Sequence, residues 1–145
     1  MAKGKVSPEL IEQFKQIVGE KYVYTDKDKL EPYSHDEVTD PHYMKEPQVV
    51  VLPATTEEVS KVVKLCYEND TVMVPRAAGT GLAAGAVATF GGVIISIERM
   101  NKILEIDKDN MVCVSEAGVT TSVLQDAVQK EGLFYGGDPC SGDSC

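Results

Sequence analysis

One stretch of this chain constrains its fold more than any other, because an apolar run gives way within a few residues to a loop that only small residues can form. In Val72-Met-Val-Pro-Arg-Ala-Ala-Gly-Thr-Gly-Leu82 the apolar run stops at Pro75, one cation follows, and Gly79 and Gly81 come next. Such a turn lines backbone N–H groups along a concave surface with no side chains in the way. Oriented amides with one guanidinium, Arg76, suit a diphosphate without a mobile counterion. Glycine is wanted because a Cβ would block both the positive-φ conformations and the close approach. The stretch predicts a nucleotide-cofactor site.

Length and charge bound the alternatives. The chain has 145 residues, the size of one domain, with 43% apolar and 26% charged residues, an ordinary globular balance. No apolar run approaches the ~20 residues needed to span a bilayer. Met-Ala-Lys-Gly-Lys leads into an amphipathic segment rather than a signal sequence. With Cys66, Cys113, Cys140 and Cys145 and no export signal, free thiols in a reducing cytoplasm are expected. A formal charge of −9 argues against nucleic acid or an anionic membrane as partner. It leaves room for one anionic ligand, since Arg76 and backbone amides act locally.

The flanking text alternates helices and strands. Ser7 as N-cap, Pro8 behind it and Gly19 as terminator bracket a helix whose Leu10, Ile11, Phe14, Ile17 and Val18 recur at helical spacing. Residues 24–46 are polar and turn-rich, with a short helix expected near 28–33. Gln48 to Leu52 reads as a buried strand closed by Pro53. Thr55 and Glu58 form a capping box for a helix burying Val59, Val62, Val63 and Cys66. Val72 to Val74 is then the second strand of a βαβ unit, ending in the glycine loop. Val93 to Ile97 is a further strand, residues 103–106 and 111–115 an antiparallel hairpin, and Thr120 or Thr121 opens a last helix with Val123, Leu124, Ala127 and Val128 inward. Residues 134–145 are loop chemistry, and the chain reads as cut short.

Several chemistries compete for the loop. Gly79-Thr-Gly81-Leu-Ala-Ala84 satisfies the dinucleotide pattern G-x-G-x-x-A, and in a small NAD-binding Rossmann domain Glu98 would take ribose hydroxyls. Against that reading, Pro75 and Arg76 separate the strand from the first glycine, and residues 82–90 are too short and glycine-broken for a crossover helix. No Gly-Lys-Ser/Thr follows, which excludes a P-loop. A plain glycine-rich connection, or a stand-alone nucleotide-binding or regulatory module, also fits the pattern. His35 and His42 with Asp36, Glu37 and Asp40 match no metal-ligand spacing, and Cys140 with Cys145 supplies too few thiolates for a closed site, so no metal is expected.

Taken together, the motifs are specific. Pro75-Arg-Ala-Ala-Gly-Thr-Gly-Leu82 with Gly85-Ala-Val resembles the FAD-linked oxidase family of the vanillyl-alcohol oxidase and p-cresol methylhydroxylase type. Within it the likeness is greatest to the branch of the glycolate oxidase flavoprotein subunit and D-lactate dehydrogenases. Val49-Val-Val-Leu-Pro-Ala-Thr-Thr-Glu-Glu-Val59, Gly91-Gly-Val-Ile-Ile-Ser-Ile-Glu-Arg-Met-Asn101, Ile103-Leu-Glu-Ile-Asp107, Ser115-Glu-Ala-Gly-Val119 and the text from Gly132 to Pro139 continue the match in order, and Tyr33-Ser34 fits more loosely.

The resemblance implies an α+β fold, a two-subdomain FAD-binding domain incomplete at its C-terminus, over residues 47–145, with 1–46 as helix and polar lead-in. It implies non-covalent FAD, because members that attach flavin through this loop carry histidine where this chain has Thr80. By the same likeness the loop of Arg76, Ala77, Ala78, Gly79, Thr80, Gly81 and Leu82 holds the cofactor's pyrophosphate, and Pro75, Gly85 and Ala86 also belong to the cofactor site. Pro53 lies near the adenine, and Asp138, Pro139 and Ser141 begin a second flavin-contacting segment. The implied parent is a 2-hydroxy-acid dehydrogenase acting on lactate or glycolate and passing electrons to an electron-transfer flavoprotein or iron–sulfur subunit. The resemblance places no catalytic residue within these 145 residues, so no turnover is expected of them alone. Because the family's flavin sits between subdomains, an incomplete second subdomain implies exposed apolar surface and low FAD affinity. In the flavin reading Glu98 has no role.

Overall fold

The computed structural model describes residues 5–137 together with 139, 140, 142 and 144. Asp138, Ser141 and Cys145, each singled out from the sequence, lie outside them. The first helix, α1 (Pro8–Val18), starts where Ser7 accepts a hydrogen bond from the Leu10 N–H, and it ends at Gly19, whose φ of 91° no L side chain adopts readily. A 3₁₀ turn (Glu20–Tyr22) leads into the two-residue strand β1 (Val23–Tyr24), and the short helix α2 (Lys27–Leu30) runs into a 3₁₀ turn (Glu31–Tyr33). Strand β2 (Val49–Val51), helix α3 (Thr56–Glu68) and strand β3 (Met73–Arg76) follow, then β4 (Val93–Ser96), the hairpin β5 (Ile103–Asp107) and β6 (Val112–Ser115), and helix α4 (Thr121–Lys130). Glu58 completes the start of α3, although its carboxylate accepts from the Ala54 N–H while Thr55 accepts from Glu58.

The first sheet has the order β1-β2-β4-β3. β4 pairs in parallel with both β2 and β3, and β1 closes one edge antiparallel to β2. The strands of the expected βαβ unit are therefore not neighbours, because β4 inserts between them. Its two faces are built by alternation. Val49, Val51, Val93 and Ile95 pack with Leu10, Phe14 and Val18 of α1 and with Val62 and Cys66 of α3. Val50, Leu52 and Ile94 point to the other side, against Leu30 and Ala88. A sheet covered on both faces needs continuous apolar strands, and β2 and β4 are buried at every position. α1 and β1 thus share a core with the elements after residue 47.

Pro75 does not end β3, which runs on to Arg76. Proline is tolerated because β3 is an edge strand. Val72 and Arg76 carbonyls accept from Val93 and Ile97, so even-numbered residues face β4 and the missing donor of Pro75 falls on the outer side. Residues 77–92 contain no helix. A Rossmann unit would place one directly after Gly81, so that reading fails.

The second sheet is the β5–β6 hairpin, with a bulge between Ile103 and Glu105. The hairpin segment and α4 line a cleft between them, and only Val128 of α4 is buried. Val123, expected inward, is 51% exposed, and Leu104, Met111, Val114 and Phe134 are exposed as well. Helical periodicity identified an apolar stripe correctly but could not say whether anything covers it. No helix among the described residues is long and apolar enough to cross a membrane.

Candidate functional site

The site begins where β3 delivers Arg76 to the carboxyl end of the sheet. Its side chain is buried, and Nη1 donates to the carbonyls of His35 (2.8 Å) and Ala86 (3.3 Å) while Nη2 donates to that of Pro32 (3.3 Å). The guanidinium also lies 5.5 Å from the centre of the Tyr33 ring. Burial pushes its pKa down, and Tyr33, Asp36 and Glu98 push it back up; a guanidinium stays charged in any case. The sequence suggested a cation facing a phosphate. The structure makes Arg76 first a pillar, tying the turn at residues 32–35 to the far side of the glycine loop.

Gly79 rests on that pillar. Its φ is +75°, and a Cβ built there would overlap the Arg76 guanidinium, with Cζ 2.5 Å away. Gly81 differs: its φ is not positive, and an added Cβ would meet only Asp36 Oδ2 at 3.7 Å, an ordinary contact. The Gly81 carbonyl accepts from the Glu37 N–H at 3.0 Å, which clasps the loop to the 35–38 segment. Asp36 completes the clasp: Oδ1 accepts from the Val38 N–H, and Oδ2 is buried with no hydrogen-bond partner among the described residues.

What this scaffold presents is a row of donors. Among the described residues, none of the N–H groups of residues 77–82 finds a protein acceptor. Ala77, Ala78, Gly81 and Leu82 are solvent-exposed, so water or a ligand must satisfy these groups. Successive unclaimed amides form an anion-binding concavity. The loop lines a cavity of about 730 Å³ together with Tyr33, Ser96, Glu98 and Asn101 at the end of β4 and with residues 117–120 at the start of α4. That volume is within the range of small-molecule and cofactor sites. Thr120, the N-cap of α4, lines the same cavity and makes no side-chain capping bond to the helix, while the Ser122 N–H in the first turn donates to the Gly142 carbonyl.

The sequence-predicted residues divide accordingly. Arg76, Ala77, Ala78, Gly79, Thr80, Gly81 and Ala86 line the cavity. Pro53 does not: its side chain is fully buried, next to Leu52, whose carbonyl accepts from Arg99. Pro75, Leu82, Gly85 and Pro139 are likewise not in the wall, Leu82 being 77% exposed. Sequence reasoning missed Tyr33 and Ser96 and gave Glu98 only to a nicotinamide cofactor. The Tyr33 hydroxyl and the Ser96 hydroxyl both donate to Glu98 Oε1. Burial and the bond to Glu98 push the Tyr33 phenol well above its ordinary pKa, which keeps the donated proton on tyrosine. Position at the carboxyl end of a parallel strand was the one signal that could have found Ser96 and Glu98.

Residues 47–145 match the FAD binding domain family. The chain is 44% identical to a D-lactate dehydrogenase of Anaerostipes hadrus over 94% of its own length and 28% of that protein. It is 39% identical to the glycolate oxidase subunit GlcD of Bacillus subtilis, over 75% of the chain and 23% of the relative. Among solved structures, p-cresol methylhydroxylase with substrate bound superposes with a TM-score of 0.77 at 28% identity, over 86% of this chain and 25% of that one. The chain thus spans about a quarter of the length of the proteins it matches.

Proposed function

The chain belongs to the FAD binding domain family, of the p-cresol methylhydroxylase type, and from that premise we propose that it is the FAD-holding portion of a cytoplasmic flavin-dependent 2-hydroxy-acid dehydrogenase. Lactate and glycolate are the substrates that the names of its relatives favour. The observation that carries the assignment to this site is the run of unclaimed N–H groups at residues 77–82. They would hold the diphosphate of FAD, where fixed dipoles need no reorganisation on binding. Local charge alone would not suffice, because Arg76 has Asp36 and Glu98 close by.

FAD, when bound, supplies the two-electron acceptor that oxidation of a hydroxy acid to a keto acid requires. The chain's own residues bind and orient. Arg76 fixes the loop from below, Gly79 lets the loop pass over it, and Gly81 lines the cavity without a side chain. Thr80 stands where members that attach the flavin through this loop carry histidine. A threonine hydroxyl is a far weaker nucleophile than an imidazole, so retention by this loop is non-covalent. The acid–base group for the substrate and the onward transfer to an electron-transfer flavoprotein or iron–sulfur subunit belong, on this reading, to the parts of the relatives that this chain does not span. The relative from Bacillus subtilis is itself described as a subunit.

The reading is tested by purifying the protein from its native reading frame and recording its visible spectrum before and after D-lactate, L-lactate or glycolate. A yellow protein whose flavin band bleaches with one of these acids is the expected result. A folded protein that stays colourless after incubation with FAD would overturn it.

A further inference from the structure

Glu98 is held as a ligand-facing group would be. It stands just beyond the end of β4 and lines the same cavity as the glycine loop. Its Oε1 accepts from two hydroxyls brought from different parts of the chain: Ser96, 1% exposed, and Tyr33, 65 positions away. Oε2 carries no hydrogen bond among the described residues, and the side chain remains exposed. Two donors on a single oxygen fix the carboxylate and leave the other oxygen free.

A fixed carboxylate beside a diphosphate site needs a reason. As an ionised acceptor it repels phosphate oxygens and can engage only a donor. The proposed cofactor offers donors next to its diphosphate on either side, as the hydroxyls of its ribose and of its ribityl chain. We propose that Glu98 Oε2 accepts a hydrogen bond from a sugar hydroxyl adjoining the diphosphate, with Tyr33 and Ser96 as positioning residues. This inference rests on the FAD reading of the site. It also departs from the expectation that Glu98 matters only to a nicotinamide cofactor.

The test is FAD affinity of the protein from its native reading frame, measured by quenching of flavin fluorescence alongside thermal melts. Glu98→Ala should weaken FAD binding about tenfold or more, the worth of a hydrogen bond to a charged group. It should also lower the melting temperature of the ligand-free protein by a few degrees, because the buried Ser96 hydroxyl loses its acceptor. Glu98→Gln keeps the shape and a neutral acceptor and should lose about fivefold; it carries the test should the alanine variant fail to fold. A parallel titration with ADP separates the two sugars. An equal loss for ADP places the contact on ribose, and loss for FAD with ADP unchanged places it on the ribityl chain. Unchanged or tighter FAD binding by both variants overturns the inference and leaves Glu98 as a structural or merely repulsive neighbour. A wild-type protein that binds no FAD removes the reading beneath it, and the inference with it.

Discussion

Replacing Gly79 and Gly81 separately by alanine should have opposite signatures, though a motif would treat the two glycines alike. At Gly79 the φ of +75° costs an alanine about 1–2 kcal/mol. The new methyl must also displace the Arg76 guanidinium, whose shortest bond, to the His35 carbonyl, is 2.8 Å. Losing that charged hydrogen bond adds about 1.5–3 kcal/mol. The sum is about 3–5 kcal/mol, which in a chain of this size lowers the melting temperature by roughly 10 °C. At Gly81 the Cβ meets nothing closer than Asp36 Oδ2 at 3.7 Å, so the ligand-free protein should melt within about 2 °C of wild type. FAD affinity should nonetheless fall by about tenfold or more, because Gly81 is an exposed part of the cavity wall and a methyl there takes up space beside the unclaimed amides. Differential scanning fluorimetry without cofactor, followed by FAD titration, reads both quantities. A Gly79→Ala protein that melts with wild type would refute the pillar role of Arg76.

Other outcomes follow from the same contacts. Arg76→Lys keeps the charge but cannot reach the His35, Ala86 and Pro32 carbonyls together, so urea denaturation should show a loss of about 2–4 kcal/mol. Phe14→Ala opens the centre of the first core, where the side chain is fully buried, and should cost about 3–5 kcal/mol by the same assay. Burial pushes the Cys66 thiol up to about 11. Cys66 should therefore resist iodoacetamide at neutral pH while exposed Cys140 is alkylated, as peptide mapping would show. Because the folded state holds that proton more tightly than the unfolded chain, Cys66 contributes a loss of stability as pH rises from about 9 towards 11.

Local grammar carried much of this fold. Ser7 with Pro8, Thr55 with Glu58, and the β-branched runs at 49–51 and 93–96 act through neighbours in sequence, so they mark α1, α3, β2 and β4 directly. The glycine loop was legible for the same reason. What was not legible depends on distant partners. Pro75 lies within a strand because β3 is at an edge, and that follows from β4 inserting beside it. Arg76 finds its carbonyls 41 and 44 positions back in the chain, at His35 and Pro32, so a phosphate partner was the nearest guess. Tyr33 and Glu98 meet only because α2 and β4 converge on one sheet face. Val123 looked buried because its helix has an apolar stripe, yet a stripe does not supply its own cover.

The central claim is that the open amides of residues 77–82 hold the diphosphate of FAD. Its most direct test is an equilibrium FAD titration of the protein from its native reading frame, wild type against Gly81→Val, with circular dichroism to verify that both are folded. Saturable binding at one FAD per chain, lost in a folded Gly81→Val protein, is the predicted result. A folded Gly81→Val protein that binds FAD as tightly as wild type would contradict the claim.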